Sequence, residues 1–154
     1  GSRPRLPWGL QLKALIADPS PTLPLLRKLQ DDASDYVRRS VANHLNDIAK
    51  DHPDIVAEWI ERYLPDASDE VRALLRHASR TLVKKGHKRT LAAFGLGKAF
   101  AGAATLTIAP TKARVGGAVA LEVELRSSAT KPQTLVVDYA VHHVKADGST
   151  SPKV

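Results

Sequence analysis

A chain of 154 residues with 43% hydrophobic content can fill one ordinary core or two small ones, which excludes disorder throughout. The net charge of +7 is unevenly spread: after Glu70 the next acid is Glu122, and between them lie Arg72, Arg76, Arg80, Lys84, Lys85, Lys88, Arg89, Lys98, Lys112 and Arg114, a self-repelling stretch suited to a polyanion, though a solubilising surface would also carry such charge. The absence of cysteine excludes disulfides, thiolate nucleophiles and zinc–thiolate sites, and fits a cytoplasmic protein.

No apolar run approaches the ~20 residues that span a membrane, and no secretory hydrophobic region opens the chain. Gly1 and Ser2 read as a tag remnant and stand outside the fold reading. The first informative segment is "RPRLPWGL", where Trp8 precedes the first complete repeat. Trp8 is expected either to pack at the edge of the helical part or to present an aromatic face.

The helical part repeats itself. "DASDYVRRSVANHL" from Asp32 is echoed by "DASDEVRALLRHAS" from Asp66, an offset of 34 residues. Asp32/Asp66, Ala33/Ala67, Ser34/Ser68, Asp35/Asp69, Val37/Val71 and Arg38/Arg72 match, and Pro19 and Pro53 keep the same offset. A period near 34 with a proline-marked break is a helical-hairpin solenoid unit of HEAT type. Helices are predicted over 36–50 and 70–85, each opened by a capping Ser34 or Ser68 or by Asp35 or Asp69 in the first turn. Val37, Val41, Leu45 and Ile48 form one buried stripe, and Val71, Leu75, Ala78 and Leu82 the next. Arg38 and Arg72 are expected to bond to neighbouring repeats through the Asp residues.

On a wheel of the helix over 36–50, Arg39, Asn43, Asn46 and Lys50 fall within about 60° of one another, and Asp47 lies about 40° beyond Asn43. Stacked repeats place equivalent faces side by side, so His77, Arg80 and Lys84 are predicted to continue this surface, with Lys85, His87, Lys88 and Arg89 following it. A face of cations and amides suits a phosphate backbone. Asp47 at its edge has two readings on spacing alone: an ion pair with Lys50 or an Arg of a neighbouring helix, or a catalytic carboxylate.

Composition shifts near residue 95. "GLGKAFAGAA" over 95–104 reads as a linker between helical repeats over 3–94 and a β part over 105–154. "ATLTIAP", "GGAVALEVELRSS" and "QTLVVDYAVHHVKA" alternate as strands, and "ADGST" marks a hairpin turn, the simpler reading over a turn that touches DNA. Four strands supply about half of a seven-stranded sandwich, so the remainder is expected from further chain or from a symmetric partner. No G-x-S-x-G motif occurs, "GLGKAFAG" follows no strand, and His44, His52, His77, His87, His142 and His143 lack metal-site spacing.

"DYVRRSVANHLNDIAKDHPD", with the repeat around it, "PWGLQLKALIADPS" before it, "DEVRALLRHASRTLVKKGH" after it and "QTLVVDYAVHHVKADGSTSPKV" at the end, resembles the AlkC branch of the bacterial DNA alkylation repair glycosylases, relatives of AlkD, over essentially the whole chain. The resemblance implies an α + β protein in separate segments: a HEAT-like solenoid followed by a partial immunoglobulin-like β-sandwich. It implies a hydrolase that excises cationic bases such as 3-methyladenine and 3-methylcytosine from double-stranded DNA, without metal or organic cofactor, as a monomer at full length. It implies further repeats ahead of Arg3. By the same resemblance Asp47 is the catalytic residue, and Trp8 and Asn43 contact the lesion. Arg39, Asn46, Lys50, His77, Arg80, Lys84, Lys85, His87, Lys88 and Arg89 hold the DNA. The alternative is a non-catalytic HEAT-type module that binds nucleic acid or a protein.

Overall fold

The computed structural model describes residues 2–153 and divides into two compact units, Gly1–Gly97 and Lys98–Val154. In the first, among the described residues, seven α-helices follow one another, with a 3-10 turn at Ser20–Thr22: α1 Lys13–Ala17, α2 Leu23–Leu29, α3 Asp35–Ile48, α4 Pro53–Tyr63, α5 Asp69–Ala78, α6 Arg80–Lys84 and α7 Lys88–Ala93. None is long and apolar enough to cross a membrane. α3 packs along α5 while α4 packs against α7, so equivalent helices of successive repeats stack in two layers. This is the solenoid that the 34-residue period predicts.

The local causes are visible at each helix end. Ser68 caps α5, its Oγ accepting from Val71 N at 3.3 Å. Ser34 makes no such bond; instead Asp32 Oδ1 accepts from Ser34 N at 2.8 Å, and Asp35 supplies the acid of the first turn. Among the described residues Arg38 makes no hydrogen bond to a neighbouring repeat, although its charge helps lower the Glu70 pKa at the start of α5. Its Nη1 donates to the carbonyls of Asp32 and Ala33 at 2.7 and 2.8 Å, tying the entry loop to its own helix. Pro53 starts α4 at a position where its missing N–H costs nothing.

The core joins Leu26, Val41, Leu45, Ile48, Val56, Ile60, Leu64, Val71, Leu75 and Leu82. Both expected stripes are buried within it, except that Val37 is only half-buried. Emptying such a position, as in Leu45→Ala, costs about 2–5 kcal/mol. Trp59 adds a polar tie, donating from Nε1 to Gln30 Oε1 at 2.6 Å.

The helix expected over 70–85 is broken at Ser79 into α5 and α6. Arg80 Nη1 takes the His77 carbonyl at 3.0 Å, the acceptor that Thr81 N would use in a continuous helix. Thr81 N turns to Asn46 Oδ1 instead, at 3.2 Å, and Ser79 Oγ bonds back to the Arg76 carbonyl at 3.0 Å.

The second unit holds β1 Gly102–Ala109, β2 Ala120–Ser127, β3 Val141–Val144 and β4 Thr150–Lys153, with β1 starting inside the stretch expected as linker. β1 pairs antiparallel with β2 from Gly102↔Ser127 to Ala109↔Ala120, and β3 with β4. Pairing Leu106 with Val123 and Ile108 with Leu121 sets the apolar side chains of the ribbon on one face. The hairpin over "ADGST" forms, with Gly148 at φ 80°. The strand expected across 133–146 forms only as β3. Among the described residues no strand pairs with 134–140, and a strand without a ladder is only extended chain.

Candidate functional site

Asp47 lies in the last turn of α3, where the helix carbonyls disfavour a negative charge. Two cations compensate. Arg3 donates to Oδ2 from Nε at 2.9 Å and from Nη2 at 2.6 Å, and Lys50 Nζ donates to Oδ1 at 3.0 Å. The carboxylate side chain is 3% exposed, against 22% for Arg3 and 40% for Lys50. Asp47 therefore does not stand on an open edge. It is enclosed, with its cations between it and solvent, because a segment ahead of α1 covers the end of α3. The ion-pair reading of its spacing holds for Lys50, and the second partner comes from Arg3.

That segment is stapled twice. Arg5 grips Asp51 with Nε on Oδ2 and Nη2 on Oδ1, both at 2.8 Å, and this grip holds the Asp51 carboxyl below its usual range. Pro4 and Arg5 lie in a turn, and Asp51 lies three residues past the end of α3. Arg3 and Arg5 meet Asp47 and Asp51 in these two pairs. No pattern in the sequence announces this R-x-R to D-x-x-x-D correspondence. Pro4, between the two arginines, is buried, and Leu12 N closes the loop onto its carbonyl at 3.0 Å. Trp8 in that loop is 100% exposed, so it does not pack at the edge of the helical unit.

His44, one turn before Asp47, is buried, and among the described residues its Nε2 has no hydrogen-bond partner. Burial pushes its pKa down, Asp47 pulls it up and Arg3 lowers it again.

The cationic face is partly as expected. Asn43 Oδ1 accepts from His77 Nε2 at 3.0 Å and from Arg80 Nη2 at 3.2 Å, all three exposed or half-buried. Burial, then Arg80 and Arg39, lower the His77 pKa. Arg39 is 69% exposed beside Asp35 at 3.9 Å and lines the same groove between α3 and α5 as His77. Asn46 is a correction. It is 2% exposed and its carboxamide serves the Thr81 backbone, so it presents nothing to a ligand. The wheel placed it outward because it allowed α3 one covered side, whereas residues 44–49 are covered all round.

Lys84, Lys85 and Lys88 are exposed and hold no salt bridge among the described residues. Arg89 is engaged: Nε and Nη2 donate to Glu61 Oε1 and Oε2 at 3.0 and 2.7 Å, with Asp54 at 3.4 Å. His87 Nδ1 lies 3.0 Å from Thr90 Oγ1 at the start of α7, and its Nε2 is 3.8 Å from Asp54. Among the described residues no three His, Asp or Glu side chains converge as a metal site.

A family model described as "Uncharacterised protein YhaZ, C-terminal Ig-like domain" matches residues 102–154. The chain is 41% identical over 155 residues to "Uncharacterized protein YhaZ" of Bacillus subtilis strain 168, covering 100% of this chain and 43% of that protein. It is similar to the solved structure titled "Pseudomonas fluorescens alkylpurine DNA glycosylase AlkC bound to DNA containing an abasic site analog", with a TM-score of 0.90 and 42% identity. That likeness covers 99% of this chain and 42% of that one, so the chain spans less than half the length of either relative.

Proposed function

We propose that this chain, which belongs to the AlkC-type DNA alkylation repair family, carries the catalytic carboxylate and much of the DNA face of a glycosylase that removes cationic N3-alkylated bases from double-stranded DNA. The observation that carries the reading is Asp47, a charge enclosed at a helix C-terminus and held by two cations beside a cationic and amide face. A carboxylate at such an unfavourable position needs a reason, and glycosidic bond cleavage supplies one. When the base bond to C1′ breaks, its electron pair neutralises the alkylated base, which leaves without protonation. Positive charge develops on the sugar, a negative carboxylate stabilises it, and the same group both orients the water whose oxygen bonds to C1′ and accepts the proton that this water gives up.

In this reading Arg39, Asn43, His77, Arg80, Lys84, Lys85 and Lys88 meet the phosphate backbone, and the exposed Trp8 ring stacks on the cationic base. 3-Methyladenine and 3-methylcytosine are the substrates proposed.

The test is Asp47→Asn in the protein at its natural length. The amide keeps an acceptor for Arg3 but no charge. Release of 3-methyladenine or 3-methylcytosine is expected to cease while affinity for DNA holds or rises. Undiminished release by a folded variant would overturn the assignment. A second reading has its own observation, that both Asp47 oxygens are already engaged, as in a structural ion pair. It makes the chain a non-catalytic DNA-binding module. It predicts no base release from the parent and a loss of melting temperature in Asp47→Asn.

A further inference from the structure

An ionised carboxylate offers about four acceptor positions, two on each oxygen. At Asp47 the occupation is uneven. Both Arg3 donors converge on Oδ2, at 2.9 and 2.6 Å, while Oδ1 receives Lys50 alone at 3.0 Å. Among the described residues one acceptor position therefore receives no donor, and it is on Oδ1 of the enclosed carboxylate. The neighbouring staple is built differently: Arg5 gives one donor to each oxygen of Asp51, the even fork that simply anchors two groups together.

We propose that Arg3 is a positioning residue for Asp47, saturating Oδ2 and fixing the carboxylate plane so that Oδ1 is the oxygen that meets the water or the sugar cation. This rests on the glycosylase reading above. It assigns the two staples different work. Arg5 holds the segment down, and Arg3 holds the carboxylate in register. A planar guanidinium is suited to this because its Nε and Nη2 are rigidly spaced, whereas an ammonium is a single point of charge.

The test is the single-turnover rate of base release from methylated DNA, measured with DNA affinity and melting temperature for Arg3→Ala, Arg3→Lys and Arg5→Ala. Misplacing a catalytic group by about an ångström costs on the order of 100-fold in rate, and that loss is expected for Arg3→Ala, with affinity within about threefold of the parent. Arg3→Lys keeps the charge without the two-donor grip, so its rate is expected near a tenth of the parent's, roughly midway on a free-energy scale. Arg5→Ala is expected to lower the melting temperature while its rate stays within about threefold. Parental rates in Arg3→Lys, or in a folded Arg3→Ala, overturn the inference. So does an equal rate loss in Arg5→Ala. If Asp47→Asn also releases base normally, the glycosylase assignment fails with it; if Asp47→Asn is inactive while both Arg3 variants are normal, only the role of Arg3 falls.

Discussion

Asn43 and His77 occupy equivalent positions of two successive repeats, and the 34-residue period brings His77 Nε2 to 3.0 Å from Asn43 Oδ1. Arg80 shares the same amide oxygen, at 3.2 Å. The amide thus sets two nitrogen donors side by side on the face proposed to meet DNA. Because Oδ1 can only accept, His77 donates from Nε2 and leaves Nδ1 as its acceptor when neutral.

Binding of this face to duplex DNA should weaken steeply with salt, and the cations should contribute unequally. Each phosphate neutralised adds about 0.9 to the slope of log K against log salt. Lys84, Lys85 and Lys88 carry no ion pair among the described residues, so replacing all three with Ala should lower the slope by about 2–3. Arg89 already neutralises Glu61, and Arg89→Ala should change the slope by less than about one. Fluorescence anisotropy across a salt series decides this. Equal effects of Arg89 and the lysines would mean that its ion pair opens on binding.

The repeat made most of the helical unit legible. Matched residues over 32–38 and 66–72 set the helix starts, and the apolar stripes set the core. Asn46 and Asp47 were placed wrongly in depth for one physical reason. A wheel gives each helix a single covered side, but an interior solenoid helix is covered by its own hairpin, by the next repeat and, here, by the segment carrying Arg3. Arg3 itself was invisible because no periodicity links it to a helix 44 residues away. In the second unit alternation located β1 and β2 correctly. It overcounted at 134–140, because alternation reports the pattern of a strand and not the presence of a ladder.

Asn46→Ala should destabilise the helical unit by about 1–3 kcal/mol, because it removes the acceptor of the half-buried Thr81 N–H and leaves a gap where the buried carboxamide sat. Urea unfolding followed by circular dichroism measures it. At the ionic strength where the lysine variants are compared, DNA affinity of the folded fraction should be unchanged. A loss of affinity without a loss of stability would restore Asn46 to the DNA face.

Gly102→Ala should disrupt β1–β2 pairing. Gly102 has φ 156°, and a Cβ there would lie 2.0 Å from the Arg126 carbonyl oxygen, a clash with backbone that no rotamer relieves. Because the chain forms two compact units, the helical unit should keep its melting transition while amides of 102–127 lose exchange protection. Unchanged protection over those residues would show that the strands shift to admit a methyl group with the ladder intact.

His44 should make stability depend on pH near neutrality. Its pKa is lowered from 6.5 by burial, raised by Asp47 and lowered by Arg3, with the net direction down. The unfolded chain then binds the proton more readily than the folded one, so stability rises with pH through this window. The contribution is fully present above the unfolded value of 6.5 and is lost as pH falls toward the folded value. His77 is shifted the same way and adds to the slope, so His77→Gln serves as the background for comparison. His44→Leu removes both the titration and the unpartnered Nε2, and at pH 7.5 its stability should match or exceed the parent's, since replacing an unsatisfied buried polar atom by an apolar group costs about nothing. Between that pH and the acid range where Asp51 and Glu61, both held low by their arginines, begin to protonate, the His44→Leu profile should be flatter than the parent's. Chemical denaturation at closely spaced pH values compares the two slopes. Parallel profiles would mean that Nε2 gains a proton or a water in the folded state, and that the buried imidazole beside Asp47 is already satisfied.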